Sequence, residues 1–366
     1  MSRLIPPAMI GIIGGGQLGQ MMAISAKKSG YRIAVVDPDE NCPCASLADE
    51  FICAKYDDEK ALDRLVKISD VVTYEFENAD ADLIRKYGAK VPQGHQALRY
   101  SQHRLAEKDF ARSLGIPCPD YVSIQRENDL HALEDFPIVL KTCRFGYDGK
   151  GQWLILSKAD IEKHRISFPN DYIAESFVAF TKEISVVCCR FNDGIAVYEP
   201  FENRHAQGIL REATHPASVS SEIKTQAIEA TQKIVEELDY IGVLAVEYFV
   251  TDDGILFNEM APRPHNSAHG TIEGCDYSQF DLHVAAITGQ AMIQPKTRFN
   301  SKMINLLGQD VEEAQMKWNR LDKQNVFMHL YGKPEARVNR KMGHITVIAR
   351  SNEALEEIAK PWRTKE

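Results

Sequence analysis

The sequence predicts a mixed α/β and α+β chain with an N-terminal parallel-sheet domain, a central strand-rich region and a small C-terminal β-rich domain. Three observations point there. Strand and helix patterns alternate through about the first hundred residues, around a glycine turn. Pro117 and Pro119 then end the alternation, and strand patterns dominate beyond them. Late in the central region, two β-rich runs flank Asp252-Asp253-Gly254. The boundaries fall at 1–103, 104–293 and 294–366. A chain of 366 residues is too long for one ordinary core and suits two or three.

Met9 to Ile13 is an apolar run ended by glycines, as expected of a buried strand. A helix follows from about Gln17 to Ser29, then a strand from Tyr31 to Val36 ending at Asp37, and another from Val71 to Tyr74. Strands separated by helices pair in parallel, so this part reads as Rossmann-like. A helical segment, Gln102 to Leu114, closes it. Pro137 to Lys141, Trp153 to Leu156, Tyr172 to Glu175 and Glu183 to Arg190 read as strands. Ser221 to Leu238 reads as a helix capped by Ser220 or Ser221. From about Gln294 onward, short strands accompany one polar helix near Val311 to Trp318. There is no internal repeat or low-complexity tract.

Composition narrows the function classes. Hydrophobic residues at 44% and charged residues at 26% describe a globular chain rather than a disordered one. A net charge of −9 argues against nucleic acid or an anionic membrane as partner. The longest apolar stretches, such as Val243 to Val250, are too short to span a bilayer. The first apolar run is ended by glycines and reads as a strand, not a signal peptide. Eight cysteines without a C-x-x-C pair are expected as free thiols in a cytoplasmic setting.

The segment VLAVEYFVTDDGILFNEMAPR, residues 243–263, carries the most chemistry. A three-residue loop Asp252-Asp253-Gly254 would close a hairpin with Thr251 opposite Ile255. Counting outward places Glu247 opposite Glu259. Directly opposed Cβ atoms lie ~5 Å apart, and two carboxylates at that spacing repel by about 3 kcal/mol at an effective dielectric of ~20. A divalent cation removes the repulsion, and oxygen-only ligands completed by phosphates suit Mg²⁺. The alternative is a solvated hairpin face.

A cation so held commonly serves a nucleotide. Upstream, Phe136 to Leu140 is an apolar strand that ends in Lys141, which needs a counter-ion. FGYDGKGQ, residues 145–152, follows with three glycines that would let backbone amides approach phosphate oxygens. Its spacing does not fit a Walker loop, and a plain turn with solvated lysines is the competing reading. A second alternative comes from Gly14-x-Gly16-x-x-Gly19, which opens a helix after a strand, with Asp37 18 residues later. By spacing this is a dinucleotide fingerprint and would imply an NAD-dependent oxidoreductase. That reading leaves the hairpin and the flap unexplained.

Lysine strand, glycine-rich flap and two-glutamate hairpin, in this order, resemble the ATP-grasp superfamily. IIGGGQLGQM (12–21), YEFEN (74–78), GYDGKGQ (146–152), NEMAPRPHNS (258–267), YSQFDLH (277–283) and RKMGH (340–344) narrow the resemblance to the 5-(carboxyamino)imidazole ribonucleotide synthase family. The resemblance covers essentially the whole chain. It implies an ATP-grasp fold and a cytoplasmic homodimeric ligase of purine biosynthesis. The implied reaction is ATP-dependent carboxylation of 5-aminoimidazole ribonucleotide with bicarbonate, through carboxyphosphate.

Site residues follow from the same resemblance. Glu247 and Glu259 would hold Mg²⁺, with Mn²⁺ as a substitute. ATP would meet Arg104, Lys141, the flap residues Gly146, Tyr147, Asp148, Gly149, Lys150, Gly151 and Gln152, the adenine-edge residues Glu175, Ser176, Phe177 and Val178, and Glu183, His205, Asn258 and Glu259. The ribonucleotide would meet Gln17, Glu75, Tyr147 and Asp148, with Lys333 and Arg340 on its phosphate; amides at the start of the first helix could also face it. Arg263 could grip bicarbonate in a two-pronged bond, with His265 and Asn266 orienting it; a surface salt bridge is the bland reading for Arg263. His265 and His269 are the candidate bases. The chain departs from the family pattern at Cys143 and Phe145, and at Ala261, where many relatives carry asparagine.

Overall fold

A computed structural model describes residues 2–144, 146, 151–164, 166 and 171–363. Met9–Ile13, Arg32–Asp37, Glu50–Cys53 and Val71–Tyr74 form a parallel sheet, with the first strand between the second and the fourth. Their continuous apolar runs bury both faces, as parallel strands require. Ile10, Ile12, Ile33 and Val35 pack with Met22 and Leu18 on one side. Ile13, Val36 and Val72 pack with Leu62 and Leu65 on the other. The expected Rossmann-like reading holds. Glu50–Cys53 is an additional strand, too short and mixed to stand out in the sequence.

A second sheet is antiparallel, in the order Tyr121–Ile124, Tyr172–Ser176, Ile138–Thr142, Gln152–Ile155. It carries Lys141 on an inner strand. The third sheet has nine strands and begins, at one edge, with Gly254–Ala261, Gly242–Thr251 and Lys182–Phe191. The helix Ser221–Glu237 packs Ile234 and Val235 against Ile184, Val186, Leu244 and Phe257 on one face. Its cap is Ser220, whose Oγ accepts from the Ile223 amide at 3.2 Å. The helix Gln279–Ile287 packs Leu282 and Ala286 against Val187, Cys189 and Ala245 on the other face.

The C-terminal region is β-rich, as expected, and Val326–Leu330 is short. Two of its strands are longer than the sequence suggested: Asn300–Leu307 has eight residues and Lys341–Ala349 nine. Asn300–Leu307 pairs with Ile209–His215, so residues 294–366 extend the central sheet rather than building a separate one. This pairing spans almost a hundred positions of chain and leaves no local sequence mark. All eight cysteines are free. No helix among the described residues is long and apolar enough to cross a membrane.

Candidate active site

The hairpin places Glu247 opposite Glu259, but by a different route from the one the sequence suggested. The turn has two residues, not three: Thr251 faces Gly254, and the register then runs through Tyr248 opposite Phe257. A β-bulge absorbs Asn258 and restores Glu247 to Glu259. The miscounted turn and the missed bulge cancel. The bulge decides the outcome, because a one-residue slip sends every side chain to the opposite face. Phe257 and Met260 both enter the core cluster beside Tyr248 and Val246, so Glu259 emerges on the other face with Glu247.

The two carboxylates are in unlike surroundings. Glu247 is buried, 9% exposed, with Asn203 Nδ2 donating to its Oε1 at 3.4 Å. Burial pushes its carboxyl up to about 7; His205 works against this and Glu259 adds to it. Arg104 Nη1 donates to Glu259 Oε2 at 2.9 Å. The Glu259 side chain stays 43% open. Its surroundings still penalise the charge, but Arg104, Lys141 and His205 outweigh this and hold its carboxyl below the usual range. Glu183 pairs with His205 Nδ1. Burial would lower the His205 imidazole, yet Glu183 and the hairpin carboxylates raise it to about 8. Among the described residues no group of three or more His, Cys, Asp or Glu is arranged to hold a metal. Two opposed carboxylates, one reluctant to ionise, form a donor set that fits a divalent cation completed by oxygen ligands from elsewhere.

Lys141 finds the counter-ion its apolar strand demanded. Its Nζ donates to Glu175 Oε2 at 2.9 Å, and Lys108 Nζ lies 3.5 Å from the same oxygen. Glu175 is thus an internal partner of the two lysines, which hold its carboxyl low against the opposing effect of burial. The amides of Ser176 and Phe177 are engaged by the carbonyls of Asp120 and Pro137, while Phe177 is exposed and Val178 half-buried beside it. Gly151 adopts φ +71°, a conformation that favours glycine, and Gln152 starts the strand opposite Lys141. Arg104 Nη2 lies 3.4 Å from the Gly146 carbonyl. Phe145, Tyr147, Asp148, Gly149 and Lys150 lie outside the described residues. A cleft of about 1200 Å³ opens beside Arg144, lined by Tyr56, Asn78 and His103. Of the motifs singled out from sequence it contains only Asn78 of YEFEN, and none of the expected site residues.

Sequence reasoning missed Glu107 and Lys108. Both are buried, on the same helix as Arg104, Arg104–Ser113, at positions that share one face. R-x-x-E-K was the available signal: three charges on the stripe where an amphipathic helix should be apolar.

Past the hairpin, Arg263 pairs with Glu77 of YEFEN, and its Nη1 donates to the Pro264 carbonyl at 3.0 Å. It is not a surface residue, with 18% of its side chain exposed, and its Nε has no partner among the described residues. His265 lies with Nε2 3.7 Å from Glu247 Oε1 and Nδ1 2.8 Å from Ser267 Oγ. Burial, then Arg263 and Lys341, holds its imidazole well below the ordinary value. Asn266 exchanges amide bonds with Asn305 of the C-terminal strand, which ties it to the fold. His269 is 1% exposed, receives a 3.2 Å contact from Gln279 and lies beside His344. It is enclosed and is a poor candidate base. Lys333 Nζ donates to the Lys341 carbonyl at 2.8 Å, and Arg340 Nη1 to the Glu335 carbonyl at 3.1 Å.

The N-terminal glycine loop corrects another expectation. Gly15 N–H donates to Asp37 Oδ2 at 2.7 Å, Gly19 N–H to Glu75 Oε2 at 2.6 Å, and Gly16 N–H to the other Glu75 oxygen. The amides expected to face the ribonucleotide are occupied by the protein's own carboxylates. Glu75 points into this loop and is 8% exposed, so both its oxygens serve the loop. Gln17 is the first residue of the helix Gln17–Lys28 and half-buried. A Cβ at Gly16 would lie 2.5 Å from Glu75 Oε1. The fingerprint glycines therefore admit a carboxylate from within, where a dinucleotide-binding fold admits a pyrophosphate.

Comparison with known proteins decides the family. Models for an ATP-grasp domain, a ribonucleotide synthetase preATP-grasp domain and a phosphoribosylaminoimidazole carboxylase C-terminal domain match residues 109–280, 8–99 and 301–358. The chain is 43% identical to N5-carboxyaminoimidazole ribonucleotide synthase of Staphylococcus aureus (strain MRSA252), over 93% of this chain and 92% of that one. The chain belongs to the N5-carboxyaminoimidazole ribonucleotide synthase family. The synthase of Bacillus subtilis (strain 168) is 41% identical over 100% of this chain and 99% of its own. A solved synthetase in complex with ADP superposes with a TM-score of 0.94 at 42% identity, covering 99% of each chain. The Aspergillus clavatus synthase, solved with ADP and 5-aminoimidazole ribonucleotide, superposes at 0.89 with 29% identity over 97% of each chain.

Proposed function

We infer that the protein carboxylates 5-aminoimidazole ribonucleotide with bicarbonate at the expense of ATP. The products are 5-(carboxyamino)imidazole ribonucleotide, ADP and phosphate, a ligase step of purine biosynthesis. The observation that carries this is the opposed pair Glu247 and Glu259 beside the Lys141–Glu175–Lys108 cluster, within a chain that matches this family end to end.

Phosphoryl transfer depends on positioning and charge neutralisation more than on covalent chemistry. Arg104 and Lys141 supply fixed positive charge on the nucleotide side, and Glu183 and His205 line its sugar end. Glu247 and Glu259 hold Mg²⁺, which neutralises phosphate charge when bound; Mn²⁺ substitutes for it. Arg263 is fixed by Glu77 and would offer its guanidinium charge to an oxyanion, and His265 beside it is held neutral by burial, so it orients rather than carries charge. Lys333, Arg340 and Gln17 meet the ribonucleotide. Glu75 acts on it indirectly, by shaping the loop before Gln17. The protein is proposed to act in the cytoplasm as a homodimer.

ADP release tests this. It is measured with 5-aminoimidazole ribonucleotide, with glycinamide ribonucleotide and with no amine, each with and without bicarbonate. Release only with the aminoimidazole and bicarbonate together supports the assignment; indifference to the aminoimidazole refutes it. Mg·ATP raises the melting temperature and NADH does not; the reverse would restore the oxidoreductase reading.

A further inference from the structure

The strand Gly254–Ala261 is the last in its sheet, so among the described residues its outer edge has no strand partner. Unpaired backbone groups on such an edge must be met another way. Here the Phe257 amide donates to the Pro117 carbonyl at 2.7 Å, and the helix Arg104–Ser113 meets two further groups with side chains. Lys108 Nζ donates to the Phe257 carbonyl at 3.0 Å, and the Met260 amide donates to Glu107 Oε1 at 2.7 Å. In a regular strand, outward-facing backbone groups recur at every second residue. These recur at 257 and then at 260, and the extra position is the bulge at Asn258. The spacing of the two side chains therefore matches the bulged strand and not a regular one.

We propose that Glu107 and Lys108 are positioning residues that bracket the bulge and thereby set Glu259 opposite Glu247. Arg104, from the same helix, holds Glu259 directly. Lys108 also reaches Glu175, which pairs with Lys141, so one helix face links the carboxylate pair to the lysine cluster. Both bracketing side chains are nearly inaccessible, at 2% and 1%. Leaving such groups buried is costly unless their bonds are made. Glutamine keeps an acceptor oxygen for the Met260 amide, which leucine lacks.

The inference rests on the metal role proposed for the pair, and the experiment separates the two. Mn²⁺ binding is measured by electron paramagnetic resonance at constant saturating ADP, with melting temperature recorded alongside. The proteins are wild type, Glu107→Leu, Glu107→Gln, Lys108→Met and Glu259→Gln. Glu107→Leu and Lys108→Met should each weaken Mn²⁺ binding ~10-fold, as loss of a supporting contact behind a metal ligand does, and Glu107→Gln should stay within about threefold of wild type. Wild-type Mn²⁺ affinity in a folded Glu107→Leu overturns the bracket. If Glu107→Leu does not fold, Lys108→Met decides by the same criterion. Equal damage from Glu107→Gln and Glu107→Leu also overturns it. Unchanged binding in Glu259→Gln instead removes the metal reading beneath it.

Discussion

Two pairs of carboxylates sit in this chain, and their partners separate them. Asp37 and Glu75 turn inward onto the glycine loop, where the amides of Gly15, Gly16 and Gly19 meet their oxygens. Glu247 and Glu259 stand opposite each other across the hairpin, and burial, with Glu259 adding to it, drives the Glu247 carboxyl up to about 7. The first pair closes a site that a dinucleotide would otherwise use. The second, in the proposed function, would hold a cation. Charge alone does not separate the pairs; one is held by backbone amides, the other by the side chains of Asn203 and Arg104.

The comparison breaks most sharply at the hairpin. Glu259→Gln and Glu247→Gln should each cost at least ~100-fold in ADP release, with the fold intact. If either kept near-normal turnover, the pair would not be the metal site. At the glycine loop the effect should move to stability. Glu75→Ala leaves two inward-facing amides without acceptors, and should cost about 3 kcal/mol in denaturant unfolding; an unchanged midpoint would mean the loop does not need its plug. Tyr56→Phe is the mildest change. It removes a 2.8 Å bond to Asp37, but the amides of Gly15 and Asp39 remain on that carboxylate. The expected loss is about 1 kcal/mol, with unaltered turnover.

Acidity sharpens the same contrast. Burial holds the Glu247 carboxyl in the folded state up at about 7, above the ordinary value of 4.5. Between these limits the metal-free folded state holds a proton that the unfolded chain has released, so stability falls as pH rises through this window. Glu247→Gln lacks that group, and the stability difference between wild type and variant should therefore grow in the variant's favour from pH 4.5 to 7. Saturating Mg²⁺ with ADP should reverse the trend, because the carboxylate is then the bound form. A flat difference across the window would place Glu247 in a less hostile environment than its burial indicates.

Much of this was legible in the sequence, for identifiable reasons. The parallel sheet announced itself through continuous apolar runs such as Ile33 to Val36, and the glutamate pair through two β-rich runs around a turn. The bulge was legible too but went unread. In ILFNEMA the alternation of Ile255 and Phe257 breaks at the adjacent polar residues Asn258 and Glu259 and resumes at Met260. R-x-x-E-K marks Glu107 and Lys108 as out of place, but their partners are backbone atoms about 150 positions away, which no local pattern encodes. The same limit hid the C-terminal strands' union with the central sheet and the plugging of the glycine loop by Glu75. Spacing showed glycines suited to an anion, but not that the anion is the protein's own.

The most direct test of the central claim is calorimetric titration of Mg²⁺ into protein saturated with ADP, for wild type, Glu259→Gln and Glu75→Gln. The account predicts that Mg²⁺ binding is lost in Glu259→Gln and retained in Glu75→Gln. Retention in Glu259→Gln, or loss confined to Glu75→Gln, would contradict it.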